Sequence, residues 1–510
     1  MSKKEVKNVV FIMLDTLQFN YLGCYGNTTV KTPNLDRFAR NGVLFENAYS
    51  EGLPTVPVRR ALMTGRYTLP VAGWQPLSHE DTTITDILWG RNVQTALVYD
   101  TPPMRLPKYG YSRGFDYVKF CPGHELDHTT YQNKPLDPGM RPIDYTQPSM
   151  VYNDKGELID DASSALLGEI DCFLRFRQEW RSPDDNYISV VAREADRWLR
   201  DVRIKDRPFL LWMDSFDPHE PWDPPSVWEK KPCPYNPDWK GNPILLAPWT
   251  PVEGRITDDE CEHVRALYSE NIELVDQRVG KLLDSIRDQG LWDETMIIIT
   301  SDHGQPMGKG EHGHGIMRKC RPWPYEELVH VPLLMHIPGV TDGGGKRVKG
   351  FVQNVDIAPT ILSALGLYQE INDLDGGHGF PVYGCIDMQG QNLLPLITGE
   401  QDKVRDFAIA GYFGMSWSII AEDYSYIHWI LKEASQRDYT STNNPGHDTM
   451  KDEAMWSCTA GAKQEVPDSD ELYDRKNDPF QLHNLIKEQP EKAAEMLRQL
   501  KLYIGELKTM

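Results

Sequence analysis

The stretch Glu51-Gly-Leu-Pro-Thr55-Val-Pro57-Val-Arg59-Arg-Ala-Leu-Met-Thr64-Gly65 sets a hydroxyl residue two positions ahead of a proline, four ahead of an arginine and nine ahead of a Thr-Gly pair. Arg59 falls at or near a helix start, where a guanidinium can brace the threonine loop or neutralise an oxyanion. Arg60 reads as peripheral. Working outward, several apolar runs end in groups that carry chemistry. Asn8-Val-Val-Phe-Ile-Met-Leu-Asp15 is a buried strand closing on a carboxylate. Phe209-Leu-Leu-Trp-Met-Asp214-Ser-Phe-Asp217-Pro-His219 and Ile297-Ile-Ile-Thr-Ser-Asp302-His303-Gly304 repeat the arrangement.

These short apolar runs alternate with amphipathic stretches. Runs at 9–14, 95–99, 208–213 and 295–300 read as strands buried on both faces. Residues 34–40, 187–201 and 258–289 read as helices. The alternation predicts an α/β fold, with a mainly parallel central sheet covered by helices on both faces. Sites in such sheets lie at the carboxyl ends of strands, so Asp15, Asp214 and Asp302 are expected to converge at one edge. Residues 105–160 and 222–252 read as loops, and 339–345 as a Gly-rich turn. After about residue 400, stretches at 407–410, 416–421 and 424–430 read as short antiparallel strands, followed by a helix at 490–506. The expected division is a catalytic domain over 1–400 and a smaller C-terminal α+β subdomain over 401–510.

The Thr55 stretch, in order with the Asp15 strand, Lys31-Thr-Pro-Asn-Leu-Asp36, the Asp214–His219 run, Asp302-His303-Gly304, Gly310-Glu-His312-Gly-His314, Gln353-Asn-Val-Asp356 and Glu471-Leu-Tyr-Asp474, resembles the sulfatase branch of the alkaline phosphatase superfamily. That branch includes phosphonate monoester hydrolases and phosphodiesterases. True sulfatases place Cys or Ser where Thr55 stands and oxidise it to formylglycine. Threonine cannot form that aldehyde, because its Cβ carries a methyl group. Its oxygen, beside a dication, can still attack phosphorus.

The resemblance implies a metal site of Asp15, Thr55, Asp302 and His303. A hard carboxylate set with one imidazole favours Mn²⁺ or Zn²⁺, with Ca²⁺ as the alternative. Thr16 stands where many sulfatases have a second aspartate, which weakens the case for Ca²⁺. One ion per chain is expected rather than two. The two-zinc phosphodiesterases space their Asp and His differently from Asp217-Pro-His219. The catalytic set implied is Thr55 as nucleophile, Arg59, His219 contacting the transferred group or protonating the leaving oxygen, and Lys319 with His314 binding the anion. His312 competes with His314. The Lys-x-His element of many sulfatases is missing; Tyr99-Asp100-Thr-Pro-Pro-Met-Arg105 stands there instead. Asp100, Arg105, His124 and His312 are candidate substrate contacts, with Glu125, Asp127 and His128 in the same polar cluster as His124.

The activity expected is metal-dependent hydrolysis of phosphate diesters or phosphonate monoesters. Sulfate ester hydrolysis without formylglycine and a non-catalytic anion binder are the alternatives. The partner is then a small anionic ester, with homo-oligomerisation open. A net charge of −21 over 510 residues repels nucleic acid and anionic membrane. The eight cysteines form no Cys-x-x-Cys pair and read as reduced thiols. Met-Ser-Lys-Lys-Glu leads straight into the first strand with no apolar signal region, so the chain as given is expected in the cytoplasm.

Overall fold

The computed structural model describes residues 5–124, 134–248, 251–319, 323–368, 388–430, 467 and 469–509. Eight strands form the main sheet: β1 (Asn8–Leu14), β2 (Val43–Tyr49), β3 (Gln94–Tyr99), β4 (Tyr117–Phe120), β5 (Phe209–Ser215), β6 (Thr295–Thr300), β7 (Leu333–His336) and β8 (Lys346–Gln353). Their order is β4-β3-β5-β1-β6-β7-β2-β8. All neighbours are parallel except β7, which runs against both β6 and β2. β1, β5 and β6 are buried at every residue. With helices on both faces, neither face of these strands meets water, so their sequences are apolar runs rather than alternations.

Register delivers the functional residues to one edge. Met13 pairs with Asp214 and with Thr300, and Tyr99 also pairs with Asp214. Asp15, Asp100 and Asp302 therefore emerge just past β1, β3 and β6, beside Asp214 in the last pleat of β5. The chain leaving β2 at this same edge turns into a helix that begins at Thr55. The first two long helices are α1 (Pro33–Asn41) and α2 (Thr55–Thr64). The helix Asp258–Asp288 is bound across α1: its buried Asp276 accepts the Asn34 and Leu35 amides, at 3.0 and 2.7 Å. This caps two of the orphan donors at the α1 N-terminus.

A second sheet is antiparallel, in the order β12-β11-β10-β9: β9 (Ala408–Tyr412), β10 (Ser416–Ile420), β11 (Tyr424–Trp429) and β12 (Glu471–Asp474). The helix Pro490–Thr509 covers it through Met496, Leu500 and Ile504. Gln353 at the end of β8 bonds the backbone of Ile409, and Arg405 grips Asp356 through both amino groups. The C-terminal strands are thus fixed to the main sheet.

Several elements differ from the sequence reading, among them β2, which it did not name. β4 lies within residues taken as loop; it is a four-residue edge strand, half exposed, whose sequence carries no strong pattern. The helix Asp161–Arg177 also falls outside the expected elements, with Asp160 capping Ser163. β12 coincides with a motif read for its resemblance and not as a strand. Glu125, Asp127 and His128, together with Cys320, Cys385 and Cys458, lie outside the described residues. The other five cysteines are free thiols. No helix among the described residues is long and apolar enough to cross a membrane.

Candidate active site

Asp15 leaves β1 fully buried. Its Oδ2 accepts from Arg59 at 3.1 Å, while its Oδ1 has no hydrogen-bond partner among the described residues. Thr16 follows with φ of +62°, a left-handed conformation that is costly for a β-branched residue. The turn aims the Thr16 amide at Asp302 Oδ1, 3.1 Å away. Asp302 Oδ1 also takes the His303 amide at 2.8 Å, and Oδ2 takes Arg59 at 2.7 Å. Ser50 beyond β2 bonds the Asp302 carbonyl.

His303 Nδ1 lies 2.7 Å from the Gly304 carbonyl. A carbonyl only accepts, so Nδ1 carries the proton and Nε2 keeps its lone pair. Burial pushes this imidazole down to about 4, which keeps it neutral near pH 7. Its Nε2 faces Thr55 Oγ1 at 3.5 Å. Thr55 is the first residue of α2, where exposed amides and the helix dipole favour negative charge. At the far end Gly65 closes the helix with φ of +64°, a conformation glycine adopts without strain, which accounts for the Thr64-Gly65 pair.

Ligand atoms of Asp15, Asp302 and His303 lie within 4.8 Å of one another. The unpartnered Asp15 Oδ1 and the lone pair on His303 Nε2 both suit a divalent cation, as does the donor set of two carboxylates and one imidazole. Burial and the adjacent Asp302 charge push the Asp15 carboxyl well above the usual range, so a bound cation there displaces a proton. Burial also opposes the Asp302 charge, but His303 and Arg59 override it and hold that carboxyl far below the usual range.

Arg59 is fully buried among Asp15, Asp214 and Asp302. It binds Asp214 through Nε at 3.0 Å and through an amino group at 2.6 Å, and donates to the Thr55 carbonyl at 3.1 Å. Thr101 donates to Asp214 Oδ1 at 2.7 Å, and the Trp212 indole N–H donates to Asp214 Oδ2 at 3.3 Å. The guanidinium's contacts are thus with three carboxylates, the Thr55 carbonyl and the Thr101 hydroxyl, a bracing arrangement.

The Sulfatase family model matches residues 7–367. The chain belongs to the sulfatase family. An arylsulfatase of Clostridium perfringens is 25% identical, over 98% of this chain and 94% of that protein. A multifunctional alkaline phosphatase superfamily protein of Trinickia caryophylli is 25% identical, over 71% and 74%. Among solved structures, the phosphonate monoester hydrolase of Agrobacterium radiobacter superposes with a TM-score of 0.66 over 98% of this chain and 96% of that one, at 21% identity. That likeness establishes a shared fold. As a sulfatase-family hydrolase, the chain is a member of a group whose enzymes bind a divalent metal, which the Asp15–Asp302–His303 grouping fits.

The remaining expected residues divide within this sulfatase-family site. Lys319 is brought in: its buried Nζ stands 4.0 Å from Asp15 Oδ1 with no hydrogen-bond partner among the described residues. His219 stacks on Phe216 at 4.0 Å. Its Nδ1 donates to the Glu220 carbonyl at 2.5 Å, leaving Nε2 as the acceptor nitrogen. Burial holds this ring well below its ordinary pKa, so in this state it is a neutral acceptor. His314 is placed elsewhere: its two nitrogens meet Glu327 at 2.8 Å and the Gln481 carbonyl at 2.9 Å, against the C-terminal segment. His312 is partly exposed beside Glu311. Arg105 covers the Phe120 ring at 4.7 Å. Asp100 and His124 are buried in a separate cluster with Asp217.

Sequence reading passed over Glu220 and Arg318. Arg318 is fully buried and pairs with Glu220 at 2.6 Å and Glu169 at 3.0 Å. Gln305 closes the other Glu220 oxygen at 2.8 Å. This ionic triad anchors both His219 and Lys319, its neighbours in sequence. The only signal was adjacency to those residues.

Proposed function

We propose that this sulfatase-family hydrolase cleaves phosphate diesters or phosphonate monoesters through a Thr55 nucleophile. One observation carries the reading: the Thr55 hydroxyl opens α2 and lies 3.5 Å from the lone pair of His303, beside the grouped Asp15 and Asp302 carboxylates. Asp15, Asp302, His303 and the Thr55 oxygen would hold the cation, of the Mn²⁺ or Zn²⁺ kind. Bound there, it supplies Lewis acidity that favours the threonine alkoxide and neutralises charge on the substrate.

Thr55 releases its hydroxyl proton to solvent and its Oγ attacks phosphorus, the P–O bond to the alcohol breaks, and a phospho-threonine forms. The α2 N-terminus and Lys319 stabilise charge on the equatorial oxygens. An anionic substrate beside His219 favours its imidazolium, which gives the departing alkoxide a proton. Water then cleaves the phospho-threonine. Arg59 holds the Thr55 loop and the metal-binding carboxylates in place.

A second reading, sulfate ester hydrolysis, is favoured by the 25% identity to an arylsulfatase over nearly the whole chain. A threonine sulfate ester must then be hydrolysed by water, without the hydrate route that formylglycine offers. The test is a p-nitrophenyl panel of sulfate, phosphate, phosphate diester and phenylphosphonate. It uses chelator-stripped protein restored with Mn²⁺, Zn²⁺ or Ca²⁺, beside Thr55→Ala. Diester or phosphonate turnover that needs a transition metal and is lost in Thr55→Ala is expected. Preferential sulfate turnover, or activity retained by Thr55→Ala, overturns the proposal.

A further inference from the structure

We propose that Asp100, His124 and Asp217 form a second divalent-cation site, suited to a transition dication such as Zn²⁺ and separate from the Asp15–Asp302–His303 grouping. It stands independently of Thr55 being the nucleophile. Sheet order brings the three together: Asp100 follows β3, Asp217 lies beyond β5, and His124 lies beyond β4, three adjacent strands. One ligand atom from each lies within 4.8 Å of the others, and all three residues are almost wholly buried.

Each donor is held by its neighbours, and Asp100 and His124 each keep a buried atom with no hydrogen-bond partner among the described residues. Asp100 Oδ1 takes the Phe216 amide at 2.6 Å, but Oδ2, fully enclosed, has no partner among the described residues. Asp217 Oδ2 takes the Ile188 amide at 2.8 Å, and Oδ1 takes Asn271 at 3.2 Å. The His124 ring is wedged by Phe216 and Tyr187, with centroids at 4.9 and 4.8 Å. Its Nδ1 has no hydrogen-bond partner among the described residues, and its Nε2 is 3.7 Å from Asp217 Oδ1. That gap exceeds a hydrogen bond. Two ligands about 2.0–2.1 Å from one Zn²⁺ at a tetrahedral angle sit roughly 3.3 Å apart, so small side-chain movements close the site.

The competing account is a proton on Asp100, whose carboxyl burial and the Asp217 charge push well above the usual range. A carboxylic O–H buried there needs an acceptor, and the free Asp100 oxygen meets none among the described residues. A cation satisfies that oxygen and neutralises Asp217 at once. Outer hydrogen bonds from Asn271, Ile188 and Phe216 supply the orientation that ligating carboxylates need. The site adjoins His219, whose ring centroid is 6.4 Å from that of His124. Three protein donors leave coordination positions for water or a substrate oxygen.

The experiment counts metal. Full-length protein is stripped with chelator, saturated with Zn²⁺, desalted and assayed by elemental mass spectrometry with protein quantitation. Two equivalents are expected for the wild type, and one each for Asp100→Asn, His124→Gln and Asp302→Ala. The double change His124→Gln with Asp302→Ala is expected to hold none. An equivalent retained by the first two variants reports that they are folded. One equivalent in the wild type, or two in both Asp100→Asn and His124→Gln, overturns the proposal. Turnover is not the readout, so failure of the phosphodiester reading leaves this result standing.

Discussion

Replacing Arg59 by methionine tests the charge balance at the Thr55 centre. The change keeps most of the side-chain volume and removes the guanidinium that Asp15, Asp214 and Asp302 share. Breaking a buried pair by deleting one partner costs about 3–5 kcal/mol, because the charge left behind is uncompensated. At roughly 2.1 cal/mol/K per residue, the unfolding entropy of a chain this long is about 1 kcal/mol/K, so Tm falls by about 3–5 °C. That holds for metal-stripped protein. A dication among Asp15, Asp302 and His303 compensates the same carboxylates, so the drop is smaller once Mn²⁺ is saturating. Linkage then requires Arg59→Met to bind Mn²⁺ more tightly by the difference between the two penalties, tenfold for each 1.4 kcal/mol. Scanning calorimetry with and without Mn²⁺ supplies the penalties, and isothermal titration supplies the affinities. Equal drops in both states, or a stripped-state drop below about 1 °C, would refute the shared-charge argument.

Lys319→Met should weaken an oxyanion inhibitor such as orthovanadate by about tenfold to a hundredfold, the worth of a charged hydrogen bond; an unchanged inhibition constant would place Lys319 outside the anion pocket. Asp276 gives a pH prediction. Burial raises its carboxyl from 3.8 to about 6 against the opposing Asn34 and Leu35 bonds. A carboxyl with a raised folded pKa contributes stability that is fully present below about pH 4 and lost as the pH rises to about 6, up to ~3 kcal/mol. In urea unfolding, the stability of the wild type relative to Asp276→Asn should therefore decline over that window and level off above it; a difference that stays flat from pH 4 to 7 contradicts the assignment.

The sheet was legible because β1, β5 and β6 are buried on both faces and so appear as apolar runs closed by carboxylates. Asp15, Asp302 and His303 could be found for the same reason: a residue just past a parallel strand has its position set by the strand. What was not legible depended on contacts between segments remote in sequence. His314 matched an expected spacing from Lys319, but Glu327 and the Gln481 carbonyl, 167 residues away, claim both its nitrogens. Arg59 read equally well as a brace or an oxyanion ligand until its three carboxylate partners were placed. β4 carries too short and too exposed a pattern to separate from loop.

The charge arrangement at this edge bears on both metal proposals together. Asp15, Asp100, Asp214, Asp217 and Asp302 are all buried within one stretch of sheet edge, while Arg59 and Lys319 are the cations placed among them. Arg59 directs its donors to Asp214, Asp15 and Asp302, while the hydrogen-bond donors to Asp100 and Asp217 among the described residues are the neutral Phe216 and Ile188 amides and Asn271. Burying carboxylates without compensation is so costly that such groups take up a proton or a cation. At the Asp15 centre the neutral His303, its lone pair turned inward, favours the cation. At the Asp100 centre the unpartnered carboxylate oxygen and imidazole favour it again. Asp15 Oδ1, Asp100 Oδ2 and His124 Nδ1 are buried at this edge with no hydrogen-bond partner among the described residues, and a cation at each centre would satisfy them.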